Sequence, residues 1–286
     1  FGTTVADPYR WLEDPKSPEV RAWATAETKL TRAFLDAQPT RAAYAKRVTE
    51  LNTTSTERFG LRIRGTRWIY FRLTPPQAQP VLVSRDGLAG AEHVIFDPAS
   101  MKQNGTPPAV DSTFLSPDGS RLAFTTQFGG SEDETLRVVD TATGALSSDV
   151  VAHAGGGESP VALTWDADGK GFLRTQWPKN ADGSYATAGI LIYHHVLGTD
   201  PTRDTYVFGK GLSPRAEYRL ATSESGDAQA ISVADGDGVH ATVYVRRGGA
   251  AFARVATPED AIGDSDDFGG TFVGDELAVI SKKRDS

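Results

Sequence analysis

A tight glycine-containing turn, followed at once by a β-type strand, recurs five times in the second part of this chain and limits the possible folds most. The turn glycines lie 54, 50, 57 and 48 residues apart, at Gly65, Gly119, Gly169, Gly226 and Gly274. Short runs rich in Val, Ile, Tyr, Phe and Thr leave room for about four strands in each repeat. A repeat of about 50 residues with four strands is typical of β-propeller blades. The sequence therefore predicts a mainly β fold, an incomplete β-propeller, with a β-sandwich of chance spacing as the alternative.

The clearest copies of this turn are Asp-Gly hairpins. One lies within Phe114–Ala123 and the other within Leu163–Phe172. Asp-Gly is a strong hairpin signal because the turn places backbone in the left-handed region. The last repeat, from Phe272 to Ile280, offers only one hairpin before the chain ends. We therefore expect about four and a half blades here and further blades in sequence that follows.

The first fifty-odd residues have a helical rather than a strand period. Ser17-Pro18-Glu19 predicts a helix start, with Ser17 as the N-cap. Apolar residues follow at helical spacing, namely Val20, Trp23, Leu30 and Phe34 in a first helix and Tyr44, Val48 and Leu51 in a second. Two short helices cannot bury these stripes on each other, so they need a larger body to pack on. We predict a helical lead-in over residues 1–57, a partial propeller over residues 58–286, and a hinge in the Thr-rich stretch between Asn52 and Phe59.

Composition excludes several classes of function. The 286 residues carry a net charge of −7 at a pI of about 5.3, so the chain lacks the basic footprint of a nucleic-acid-binding protein. It contains no cysteine, which excludes disulfides and thiolate metal sites. No apolar run approaches the ~20 residues that span a bilayer, so no membrane segment is predicted. Neither the cytoplasm nor a bacterial periplasm is favoured as the compartment.

A search for catalytic and metal motifs finds no complete centre. The Gly-x-Ser-x-Gly elbow of serine hydrolases does not occur. His153-Ala154-Gly155-Gly156-Gly157 is similar to an oxyanion loop, but we interpret it as a flexible loop between blades. His194 and His195 are neighbours on a predicted strand and point to opposite faces, which prevents joint metal binding. The acidic run from Asp264 to Gly269 does not place its oxygens at EF-hand positions, so no metal is predicted.

One segment near the start and three in the repeats carry a family resemblance. The first reads Asp7-Pro8-Tyr9-Arg10-Trp11-Leu12-Glu13-Asp14, and the others are Ser116–Phe124, Trp165–Phe172 and the run from Tyr193 to Thr205. In this order and spacing they resemble the prolyl oligopeptidase family of serine peptidases, more than its sister group, the oligopeptidases B. We expect the motif residues to have structural roles, and these are Asp7, Pro8, Tyr9, Trp11, Leu12 and Trp165.

The resemblance implies a propeller of about seven blades inserted into an α/β-hydrolase domain on which the N-terminal helices pack. It implies cleavage after proline in short peptides by a serine, an aspartate and a histidine of a domain that this chain lacks. Neither an organic cofactor nor a metal is implied, and a monomer is expected. By position in the family, the side chains of Pro160, Glu217 and Tyr218 would line the substrate cavity. Pro160 and Glu217 depart from the bulky apolar residues that the family often has there.

Two other interpretations stay open at the level of sequence. An oligopeptidase B-like enzyme would cut after basic residues and would need acidic side chains in its pocket. A stand-alone propeller would be a binding module without catalysis.

Overall fold

The computed structural model describes residues 2, 5–157, 159–236, 238, 240–263 and 269–283. The chain divides into two compact units, Phe1–Ser55 and Thr56–Ser286. The acidic run at 264–268 lies outside the described residues.

The first unit contains a short 3-10 helix, Arg10–Glu13, and two α-helices, α1 at Pro18–Asp36 and α2 at Arg41–Asn52. Ser17 precedes α1 as predicted, but its side chain makes no capping hydrogen bond, so Pro18 at the first helical position is the main start signal. No described side chain of these three helices is buried. The predicted apolar stripe is exposed along most of its length, with Leu30 and Phe34 each about two-thirds accessible to solvent.

The second unit consists of antiparallel sheets that follow one another along the chain. The first two sheets are formed by β1 (Glu57–Arg64), β2 (Arg67–Leu73), β3 (Val81–Asp86) and β4 (His93–Phe96), then β5 (Ala109–Leu115), β6 (Arg121–Gln127), β7 (Glu134–Asp140) and β8 (Leu146–Gly155). The next two are formed by β9 (Leu163–Trp165), β10 (Gly171–Gln176), β11 (Leu191–Val196) and β12 (Thr205–Phe208), then β13 (Ala216–Thr222), β14 (Ala228–Asp235), β15 (Thr242–Arg247) and β16 (Ala253–Ala256). A hairpin of β17 (Gly270–Val273) and β18 (Glu276–Val279) follows. Each four-stranded sheet has its strands in chain order.

The first strands of successive sheets are neighbours. Contacts join β1 to β5, β5 to β9, β9 to β13 and β13 to β17. Sheets that follow one another with their first strands side by side are blades around an axis. The predicted incomplete propeller of about four and a half blades is therefore confirmed.

Apolar side chains fill the space between consecutive blades. Ile69 and Leu82 of the first blade pack against Leu122 and Phe124 of the second, and the same pattern recurs at the later boundaries. Central strands are covered on both faces, so β6 has five consecutive buried residues rather than an alternating pattern. Burial of this kind ties each blade to its neighbour, since removing a buried Phe side chain costs about 3–5 kcal/mol.

The prediction of a flexible loop from His153 to Gly157 is wrong. Strand β8 extends through Gly155, which is paired with Glu134 of β7. Gly156 then forms an isolated bridge with Ser159. The glycines serve close backbone approach, since a Cβ on Gly156 would lie 1.4 Å from the carbonyl oxygen of Glu132.

Candidate functional site: an axial cleft and the blade ends around it

The first strands of the blades surround a cleft of about 890 Å³. Five blades contribute to its wall, represented by Arg64 of β1, Leu115 of β5, Trp165 of β9, Thr222 of β13 and Phe272 of β17. The cleft therefore lies along the axis of the partial propeller.

The charged residues of the axial cleft come from two blades. Arg62 and Arg64 lie two residues apart on β1 and share one face of that strand, which places both at the cleft wall. Glu224, just after β13, contributes a carboxylate. The axial cleft therefore carries charges of both signs on a wall that is otherwise formed by polar and apolar side chains.

The glycine turns of successive blades contact one another at one end of the propeller. A Cβ on Gly119 would lie 3.0 Å from the Cβ of Arg67, and one on Gly226 would lie 2.6 Å from the Cβ of Ala167. The backbone N–H of Glu224 donates to the carbonyl oxygen of Gly274 at 3.0 Å. The turns that revealed the repeat in the sequence thus also join the blades.

Trp165 lies at the boundary between the second and third blades. Its side chain is buried, and its indole Nε1–H donates to the carbonyl oxygen of Phe114 at 2.9 Å. The ring also meets Phe172 edge-on, with 5.1 Å between ring centres. Trp165 therefore packs in the core and, through its edge, borders the axial cleft.

The three predicted substrate-lining residues lie at the other end of the propeller, where the first strands begin. Pro160 is exposed and precedes β9, and Glu217 is half-buried near the start of β13. Tyr218 is buried, and its hydroxyl donates to the carbonyl oxygen of Ile190 at 3.2 Å. Burial raises the pKa of the Tyr218 hydroxyl above its ordinary value. In this chain Tyr218 packs against its neighbours, while Pro160 faces solvent.

The N-terminal motif forms a local structure within the first unit. Asp7 Oδ1 accepts a hydrogen bond from the backbone N–H of Tyr9 at 3.1 Å, and Leu12 N–H donates to the Tyr9 carbonyl oxygen. Trp11 packs edge-on against Trp23 of α1, with 6.1 Å between ring centres. The motif, which also includes Pro8, therefore sets the approach of the chain to α1.

A buried charged cluster joins the second and third blades, and sequence reasoning did not find it. His195 of β11 lies 3.0 Å from Asp149 Oδ1 through Nε2 and 2.8 Å from Asp204 Oδ1 through Nδ1. Arg174 binds the other oxygen of Asp204 at 2.5 Å. His194 instead lies 2.7 Å from Asp166, so the two histidines have separate partners, as their opposite faces predicted. The sequence did not reveal this cluster because its members are up to 55 residues apart, from Asp149 to Asp204.

Glu134 is a second buried group that the sequence did not reveal. Its side chain is 3% exposed, and its Oε2 has no hydrogen-bond partner among the described residues. Burial, together with the nearby Asp111 carboxylate, raises the pKa of Glu134 to about 7.

The described residues offer no group of three or more metal-ligating side chains that could hold an ion. No helix among the described ranges has both the length and the apolar character needed to cross a membrane.

Both compact units of the chain match one protein family. Residues 1–262 match the family profile described as prolyl oligopeptidase, N-terminal beta-propeller domain. The chain belongs to the prolyl oligopeptidase family. This match confirms the family resemblance that the N-terminal motif and the repeats predicted.

Relatives of known name agree with this assignment. The chain is 28% identical to a prolyl endopeptidase of Elizabethkingia meningoseptica over 219 residues, which cover 75% of this chain and 30% of the relative. It is 30% identical to prolyl oligopeptidase A of Galerina marginata, over 71% of this chain and 31% of the relative. The chain thus spans about a third of the length of the relatives that it matches.

Solved structures show the same fold. One, from a structural and mechanistic analysis of two prolyl endopeptidases, has a TM-score of 0.80 at 30% identity and covers 90% of this chain and 37% of its own. Prolyl oligopeptidase B of Galerina marginata, bound to a 35mer hydrolysis and macrocyclization substrate, has a TM-score of 0.73 at 23% identity, covering 88% of this chain and 38% of its own.

Proposed function

We propose that this chain is the propeller portion, with the N-terminal helices, of a serine endopeptidase that cleaves short peptides on the C-terminal side of proline. The observation that carries the proposal is the family match over residues 1–262, which includes both the N-terminal motif and the four complete blades. Relatives named prolyl endopeptidase and prolyl oligopeptidase support proline as the residue before the cut.

The propeller would act by exclusion. The cleft between the first strands is about 890 Å³, and its walls are held by tightly packed blade boundaries. Such an opening passes a flexible peptide and rejects a folded protein, so the selection is one of size.

A separate α/β-hydrolase domain would supply the catalytic serine, aspartate and histidine. The exposed apolar stripe of the first unit supports a partner of this kind, because Leu30, Phe34 and Tyr44 are each about two-thirds or more accessible. Large apolar side chains that stay exposed together are typical of an interaction surface. On this proposal residues 1–57 belong with the peptidase domain, residues 58–286 form the propeller, and the whole protein is a monomer.

The chemistry would be acyl transfer by the absent domain. A histidine-activated serine would attack the carbonyl carbon of the proline residue, with backbone N–H groups stabilising the oxyanion. The bond from that carbon to the next residue's nitrogen would break as the histidine protonates the leaving amine, and water would then hydrolyse the acyl-enzyme. This portion would contribute access and, through Pro160, Glu217 and Tyr218, part of the substrate cavity.

The test uses the full protein that contains this chain. We expect it to hydrolyse a proline-linked chromogenic peptide and to be inactivated by a serine-directed phosphonate. An arginine-linked peptide serves as the comparison, and preference for it would transfer the assignment to an oligopeptidase B-like enzyme. Inactivity toward both peptides, together with no phosphonate labelling, would overturn the proposal and leave a binding module.

Size selection has its own measurement. The same proline-linked site is presented in a short peptide and in a loop of a folded carrier protein. We expect cleavage of the short peptide alone, and equal rates on the two substrates would contradict exclusion by the propeller.

A further inference from the structure

A second cavity, of about 600 Å³, lies between the second and third blades. We call it the blade 2–3 cavity. Three segments line it: the connection between β6 and β7 with Glu132 and Asp133, the end of β8 with His153, and the connection between β10 and β11 with Trp177 and Tyr185. These segments all lie at the end of the propeller where the first strands begin.

One wall of the blade 2–3 cavity is aromatic. The Tyr185 ring stacks on the imidazole of His153, with 4.1 Å between ring centres and 28° between planes. Lys179, an exposed residue, places its Nζ 5.9 Å from the centre of the Tyr185 ring. The ring thus already attracts one ammonium group of the protein, which is the behaviour of an aromatic face that can receive a cation.

The two carboxylates of the cavity differ in their partners. Asp133 Oδ1 is 2.9 Å from His153 Nδ1, so the histidine occupies it. Glu132 has its backbone in the left-handed region, at φ 56°, and its N–H donates to Gln127 Oε1 at 3.2 Å. Within the described part of the chain the Glu132 carboxylate makes no ion pair, and its Oε2 lies beside Gly157, 3.7 Å from an added Cβ there. A negative charge without a cation therefore stands in a cavity with an aromatic wall.

We propose that the blade 2–3 cavity binds a cationic group of the peptide substrate, with Glu132 as its carboxylate and Tyr185 as its aromatic wall. The ligand chemistry is an ammonium or guanidinium group, from either a free amino terminus or a basic side chain. The inference rests on the proposed function, since Gly156 of the cavity is only four residues before the predicted substrate-lining Pro160. Lys179 acts as an internal competitor that a substrate cation displaces.

The closing experiment uses the full protein and three proline-linked chromogenic peptides of equal length. One is acetyl-capped and neutral, one is acetyl-capped with an arginine upstream of proline, and one is neutral with a free amino terminus. For each, kcat and KM are measured in wild type, Glu132→Gln and Lys179→Gln. Asp86→Asn is the matched control, because it also removes one carboxylate but lies on the first blade beside Arg67.

We expect Glu132→Gln to lower kcat/KM for the arginine peptide, relative to the capped neutral peptide, by about fivefold, mainly through KM. Lys179→Gln should raise the same ratio by about twofold, and Asp86→Asn should leave it unchanged. A loss confined to the free-amine peptide would identify the amino terminus as the source of the cation. A ratio that Glu132→Gln does not move for either cationic peptide, or that Asp86→Asn moves equally, would overturn the proposal.

Failure of the proposed function has a different signature, namely no hydrolysis of the capped neutral peptide by wild type. In that case the binding of argininamide to the full protein, measured by calorimetry, still tests whether the blade 2–3 cavity binds a cation. Binding that weakens in Glu132→Gln supports the site, and binding that is absent from wild type overturns it.

Discussion

His195 of the third blade reaches across the blade boundary to Asp149 of the second, with 3.0 Å between Nε2 and Oδ1. Its other ring nitrogen lies 2.8 Å from Asp204, so both nitrogens can donate only when the ring carries two protons. Burial lowers the pKa of His195, but the hydrogen bonds to Asp204 and Asp149 outweigh it, and the pKa is raised overall. When protonated, the buried His195 ring joins the second and third blades by donating to both carboxylates.

This join predicts a pH-dependent stability. Since the pKa of His195 is higher in the folded than in the unfolded protein, its contribution is full below about pH 6.5 and is lost as the pH rises through the folded pKa. We expect His195→Gln to cost about 3 kcal/mol near pH 6 and clearly less at alkaline pH. Unfolding midpoints measured against pH would check this. The half-exposed His194, changed to Gln, is the control for loss of a histidine, and parallel curves for wild type and His195→Gln would contradict the prediction.

Contact between turns predicts an unequal response of two glycines with the same backbone conformation. Gly226 and Gly198 both have φ 79°, but a Cβ would lie 2.6 Å from Ala167 at Gly226 and in open space at Gly198. Alanine at either site has the left-handed strain of about 1 kcal/mol. Gly226→Ala should lose a further 1–3 kcal/mol, roughly, because two blades must separate to admit the methyl group. Comparable unfolding midpoints for the two variants would show that the turns do not press on each other.

Replacing Glu134 should stabilise the protein, and the gain should grow as the pH rises. Burial raises the pKa of this carboxyl to about 7 from an ordinary value of 4.5, so the folded state keeps a proton that the unfolded state releases. Stability is therefore lost as the pH rises from about 4.5 to 7. Glu134→Gln should be more stable than wild type by roughly 3 kcal/mol at pH 8, with little difference near pH 4. Asp111→Asn should give part of this gain, because the Asp111 charge also raises the pKa of Glu134. A constant offset at all pH values would argue for a packing effect alone.

The indole hydrogen bond of Trp165 can be tested apart from its volume. Trp165→Phe removes the donor to the carbonyl oxygen of the partly buried Phe114, at a cost of about 1–2 kcal/mol beyond the lost packing. Trp177→Phe is the matched change, since Trp177 is also buried but its indole makes no hydrogen bond among the described residues. The difference between the two unfolding midpoints measures the bond, and equal losses would mean that it adds nothing.

The repeat, the helices and the family could all be predicted from local signals. Asp118-Gly119 and Asp168-Gly169 set hairpins through backbone conformation alone, and the spacing of such turns gives the blade length. Pro18 marks the start of α1 for a similarly local reason.

The interactions that join blades could not be predicted in this way. His195, Asp149 and Asp204 lie on different elements, so their meeting depends on the packing of whole sheets. Glu134 reads as an ordinary polar residue at a strand start, and only the fold shows that it is buried beside Asp111. The prediction of a flexible loop after His153 was wrong for a related reason. Close backbone approach and flexibility both favour glycine, so the sequence alone does not distinguish them.

The contacts between turns also bear on the order in which the molecule can be built. The turn at Gly119 rests on Arg67 of the blade before it, the turn at Gly226 rests on Ala167, and Gly274 accepts a hydrogen bond from Glu224. Each new blade thus contacts a blade that was synthesised before it. None of these contacts between turns requires a segment that is synthesised later. The propeller can therefore fold during translation from its first blade onward, with each new turn packing against a blade that has already folded.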